Sequence, residues 1–116
     1  MAITNFSQVE VNKSTATSTA GAATINKQAG LITTEALTTA AAATYTMTLT
    51  NGAIKTTSLV FVTVAKGTAT TGEPVVQFVT PAAGSAVILI RNVAAAAALN
   101  GTIKIGFFVL DQNNVA

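Results

Sequence analysis

The side chains that carry most enzymatic chemistry are scarce in this chain. Histidine and cysteine are absent, which removes the usual nucleophile–base pairs and the usual zinc ligands. Four acids remain: Glu10, Glu35, Glu73 and Asp111. Two carboxylates facing each other across a cleft would suit glycoside hydrolysis. Each of these four sits near a turn or a terminus, and no spacing brings two together, so they read as solvated surface acids. Gly101 and Gly106 in "GTIKIG" do not form a phosphate loop; Gly106 falls within a strand and marks a bulge or close packing. Arg91 is the one charge inside the apolar run "ILIRNV". It would pair with Glu73 or Glu35, reach a subunit boundary, or keep its head in water at a strand end. Tyr45, the sole tyrosine, reads as a core ring with its hydroxyl at the rim.

The bulk composition supports the same exclusions. Of the 116 residues, 50% are hydrophobic, 9% charged and 5% aromatic, with a net charge of +2. Soluble domains are typically about a quarter charged. The six basic residues, Lys13, Lys27, Lys55, Lys66, Arg91 and Lys104, are scattered and form no block, unlike the clustered footprint of a nucleic-acid binder. Without cysteine there is no disulfide framework. The opening "MAITNFSQVEVNKS" lacks the charged end and apolar centre of a signal peptide, and no apolar run approaches the roughly 20 residues of a membrane helix. The expectation is a soluble product of the cytoplasm that works without a cofactor or metal. A monomer exposing this much Ala, Val and Ile would be sticky. The remedy is a surface of Thr, Asn, Ser and Gln, burial against copies of itself or a larger assembly, or both.

The elements are written as strands. In "TYTMTLTN", threonines 44, 46, 48 and 50 fall on one side and Tyr45, Met47 and Leu49 on the other, the period of a half-buried strand. Asn51–Gly52 is a tight-turn dipeptide. "ATINKQAGLITTEAL" gives two short strands joined by a turn at Lys27–Gly30. "TSLVFVTVAKG" puts Val60, Val62 and Val64 opposite Leu59 and Phe61. "VVQFVTP" is a strand ended by Pro81, and "PAAGS" a turn with Gly84 able to take positive φ. "AVILIRNV" and "TIKIGFFVL" complete seven or eight strands at intervals of about 8 to 15 residues, the spacing of a sandwich or barrel. The alanine runs 40–43 and 94–98 are too short for independent helices and read as tight connections. Several strands are apolar on both faces: Ile88 and Ile90 oppose Val87 and Leu89, and Ile103, Ile105 and Phe107 oppose Phe108 and Leu110. One face lines the core, and the other needs a neighbour.

Residues 1–22 are read as an arm that orders on contact, ahead of a β-domain spanning 23–116. Within the arm, "SQVEVN" offers a short strand with Val9 and Val11 on one face. Phe6 is an isolated aromatic that would anchor in another subunit's groove or on its own domain. Phe6, Val9, Val11 and Arg91 are the candidate interface residues.

The stretches "ATINKQAGLITTEALTTAAAATYTMTLTN", "GEPVVQFVTPAAGSAVILIRNV" and "AAALNGTIKIGFFVL" together resemble small structural proteins of tailed bacteriophages. The features carrying this are the Gly30–Thr34 turn and strand, the Thr-alternating strand ending in Thr-Asn at Thr48–Asn51, Pro74–Val76, the Thr80–Ser85 turn, and "IRNV…ALNG" at Ile90–Val93 and Ala98–Gly101. The resemblance implies an all-β fold, jelly-roll-like or a related β-sandwich of antiparallel strands, in a homotrimer on a virion. The expected role is capsid decoration, or cement: binding the major capsid protein on the outer face of the head and bridging shell subunits, with no catalysis. The alternative is a head, neck or tail-fibre component contacting glycan or protein on a host surface through loops at one end, such as Gly67–Glu73 and Asn92–Gly101. A depolymerase has almost no support among the residues.

Overall fold

A computed structural model describes residues 13–110. Phe6, Val9 and Val11, with Glu10 and Asp111, lie outside the described residues. Eight strands make up the fold: β1 (Lys13–Thr17), β2 (Ala22–Thr24), β3 (Ala29–Thr33), β4 (Thr44–Thr50), β5 (Leu59–Lys66), β6 (Pro74–Ala82), β7 (Ser85–Asn92) and β8 (Ile103–Leu110). They form two four-stranded sheets, ordered β1-β3-β8-β5 and β2-β4-β7-β6. The expected all-β sandwich is the observed fold.

Its plan is a folded hairpin. β3 pairs with β8 and β4 with β7, while β5 and β6 complete opposite sheets. The two sheets thus share a nested strand order, 3-8-5 in one and 4-7-6 in the other. Both β1 and β2 are added at sheet edges, and both pair in parallel: β1 with β3 and β2 with β4. This corrects the expectation of uniformly antiparallel strands. It arises because the chain switches sheets between successive strands, so a strand returns beside its predecessor but one in the same direction. β1 also begins inside the segment expected to be an arm: from Lys13 onward, that stretch is tied into the sheet.

The two-residue period decides the core. On β7, Ala86, Ile88 and Ile90 are fully buried while Val87 and Leu89 are partly so. Across the same sheet, Met47 sits opposite Ile88 and Leu49 opposite Ala86. The facing sheet supplies Ile32, Ile103, Ile105, Phe107 and Val109. Each buried Ile or Leu contributes about 1.5–3 kcal/mol relative to exposure. Gly30 is needed where it stands. A Cβ there would meet the Phe107 ring at 2.8 Å and Ile25 Cδ1 at 2.9 Å, so the aromatic ring fills the place of the missing side chain.

The tight turn expected at Asn51–Gly52 is present, with Ile54 N–H donating to the Asn51 carbonyl at 3.1 Å; it leads from one sheet to the other and closes no hairpin. Instead Asn51 is fully buried, donating to the Lys27 carbonyl (2.7 Å) and accepting from Ala53 N–H (2.9 Å). Pro81 does not end β6; it lies inside the strand, on an edge where a missing N–H is tolerated. Gly84 does turn the β6–β7 hairpin at φ 80°, and neither alanine run forms a helix. Ile88→Ala should lower unfolding stability by about 2–5 kcal/mol in denaturant titration. Thr46→Ala, on the exposed outer side of β4, should change it by less than about 0.5 kcal/mol.

Candidate interaction surfaces

Alternation that fills the core leaves the outward faces to be explained. On the outer face of the β1-β3-β8-β5 sheet, Leu31, Leu59, Phe61 and Leu110 are 38–55% exposed. Phe61 stacks on Phe108 with ring centroids 6.3 Å apart. Gly106 lies between Leu31 and Thr63 in an unbroken register, so it marks close packing and no bulge. With no side chain there, the sheet has a trough. It is an open groove of about 700 Å³, lined by Gly106, Gly30, Leu31, Phe61, Phe108 and Lys13 among others. The charged residues within this sheet's strands are Lys13, Lys66 and Lys104.

The other sheet presents a different face. Four threonines of β4 are exposed, and beside them Val75 and Phe78 are 40% and 52% exposed. Arg91 belongs here, half-buried between Thr44 and Val75. Ile90 and Tyr45 point the opposite way, to the core side where Glu35 sits. Alternation therefore separates Arg91 from Glu35 by the thickness of the sheet, which corrects that proposed pairing. Gln77, the extra residue at the β6 bulge, accepts from Thr44 Oγ1 at 3.2 Å.

At one end of the sandwich the connections 34–43, 67–73 and 93–102 are stitched together. Asn92, fully buried, donates to the carbonyls of Ala97 (2.8 Å), Thr39 (3.1 Å) and Ala40 (3.3 Å), and accepts from Glu73 and Ala94 N–H groups. Asn100 accepts from Thr70 N–H (2.7 Å) and Thr71 N–H (3.0 Å). Leu99 plugs the space beneath. The two loops singled out in the sequence, Gly67–Glu73 and Asn92–Gly101, thus share one fixed surface.

Glu35 is not the solvated acid expected from the sequence. Its carboxylate accepts from Ser18 Oγ, from Tyr45 OH at 3.1 Å and from Gly21 N–H at 2.9 Å. The cluster pins the β1–β2 turn to the β3–β4 connection. Burial pushes the Glu35 carboxyl upward, but hydrogen bonds from Ser18, its own backbone, Tyr45 and Gly21 outweigh it and hold it below its ordinary value. Burial, then the Glu35 charge and hydrogen bond, push Tyr45 up to about 12. The partners lie 17 and 10 residues from Glu35, a separation with no local signal. Among the described residues, no group of three or more acids could hold a metal ion, and no helix is long and apolar enough to cross a membrane.

Comparison with protein-family models, with curated proteins and with solved structures finds no match to this chain.

The Glu35 cluster predicts two pH limbs. A depressed carboxyl stabilises the fold above about pH 4.5 and loses that contribution as pH falls through its folded value. A raised phenol stabilises the fold below about pH 10 and loses it as pH climbs toward 12. In thermal melts across pH, Glu35→Gln should flatten the acid limb and lower stability by about 1 kcal/mol at neutral pH. Tyr45→Phe should flatten the alkaline limb. Asn92→Ala, which strands several buried backbone groups, should cost about 3 kcal/mol or more.

Proposed function

We propose that this chain is a virion structural protein, a capsid decoration or cement protein. It would bind the major capsid protein on the outer face of a phage head and stabilise the shell by bridging its subunits. The observation that carries this reading is the outward face of the β1-β3-β8-β5 sheet, with Leu31, Leu59, Phe61 and Leu110 presented to solvent and a mainly apolar groove between Leu31 and Phe61. Adhesion is the mechanism. Apolar faces close against copies of the chain, in the homotrimer the resemblance implies, and against the shell. Weak single contacts are multiplied by repetition over a lattice. A surface poor in charge suits this, because desolvating ions at an interface is unfavourable. The neutral threonine side of β4 supplies hydrogen bonding without that penalty.

A second reading, a head, neck or tail-fibre component, draws on one specific observation. Gly67–Glu73 and Asn92–Gly101 meet at one end and are held rigidly by Asn92 and Asn100. A fixed loop surface of this kind suits recognition of a host surface.

The two readings part on particle stability. Heads assembled without this protein should form normally but open at lower temperature, and added purified protein should restore heat resistance. Unchanged heat resistance together with lost adsorption to cells would favour the fibre reading and remove the cement role.

A further inference from the structure

The four sheet edges are not equivalent. β2 is three residues long. β1 is a short polar strand, "KSTAT", starting at a lysine. β6 carries Pro74, Pro81 and a bulge between Val76 and Phe78. Each of these is a device that discourages further pairing. β5 has none. It runs eight residues, "LVFVTVAK", in unbroken register with β8, its one hydrogen-bonded strand neighbour. Its only charge is Lys66 at the last position, and Leu59 and Phe61 on its outer side are 43% and 55% exposed. Its other edge lies near β6 of the second sheet but has no hydrogen-bonded strand partner among the described residues, and a long apolar edge without such a partner is a template for another strand.

We infer that the β5 edge receives the N-terminal segment of a second copy of this chain, residues 1–12, as an added strand. Three observations point to that occupant. The segment contains "SQVEV", which alternates with the period of a strand and puts Val9 and Val11 on one side. Its acid, Glu10, complements a sheet whose strand charges are Lys13, Lys66 and Lys104. Finally, β1 and β5 are opposite edges of the same sheet. The chain before Lys13 therefore departs from one side of the subunit, and the open edge lies on the other.

The direction of departure favours exchange over self-docking. Lys13 stands in the row Lys13–Ala29–Phe108–Phe61. Extending β1 backwards leads past the Leu59–Leu110 end of the sheet, while the subunit's own β5 edge lies three strands away across it. Twelve extended residues reach about 40 Å, enough to run along a neighbour's eight-residue edge. Donor on one side and acceptor on the other make a head-to-tail contact, which closes into a ring when the rotation allows. The inference rests on the strand edges and not on the decoration reading, although the trimer of that reading is one such ring.

The natural absence of cysteine makes the test clean. Two populations of the full chain are prepared, one carrying Val9→Cys and the other Thr63→Cys, with Phe61→Cys as a second acceptor variant; circular dichroism checks that each is folded. Mixed and mildly oxidised, Val9→Cys should couple to a β5 cysteine as a species of twice the chain mass, well above the yield of either population alone. A third population carries Val9→Cys and Thr63→Cys in one chain; the idea is overturned if coupling occurs only within that single chain, if β5-to-β5 coupling dominates in the acceptor population alone, or if no coupling occurs at all. Because no phage head is present, failure here leaves the shell-binding experiment untouched, and the reverse also holds.

Discussion

A two-sheet sandwich has four faces, and its own packing can cover only two of them. In most such domains the outer pair is made polar. This chain fills its inner faces with Ile, Leu, Met and Phe and still places Leu31, Leu59, Phe61, Leu110, Val75 and Phe78 outward. The rest of the molecule can be understood from that excess. The groove over Gly106, the β5 edge with no second hydrogen-bonded strand among the described residues, and the scarcity of charge are three aspects of that outward surface. Its conformation is fixed from within, by the Glu35 cluster at one turn and the Asn92 and Asn100 networks at one end.

How much of this was legible in the sequence depended on whether a strand carries its own pattern. β4, β7 and β8 were readable because burial on one side forces alternation, and their side chains obey it. β1 and β2 were not. "KSTAT" and "AAT" hold no apolar stripe, and they are strands because β3 and β4 offer them edges to pair with. Their parallel direction follows from the chain's passage between sheets, which no local residue encodes. Pro81 was misread as a terminator because its effect depends on whether the strand is central or at an edge, a property of the assembled sheet.

The interaction surfaces divide in the same way. The opposition of Ile103, Ile105 and Phe107 to Phe108 and Leu110 foretold an apolar outer face, and the grouping of the two loops at one end was anticipated too. Glu35 could not be placed from sequence, because Ser18 and Tyr45 come to it only through folding. Arg91 was named for its oddity within an apolar strand; the pairing register then decided its side, outward beside Thr44 and Val75 and away from Glu35. Asn92 drew no attention, although a polar residue at a core-parity position of β7 is a signal that could have found it.

If outward apolar faces are the governing feature, the free chain should not persist alone. Sedimentation velocity of the full chain across a dilution series measures this directly. The account predicts a defined multimer that holds its size down to low concentration, with removal of Phe61 and Leu59 side chains shifting it toward single chains. A well-behaved monomer at every concentration would contradict the account.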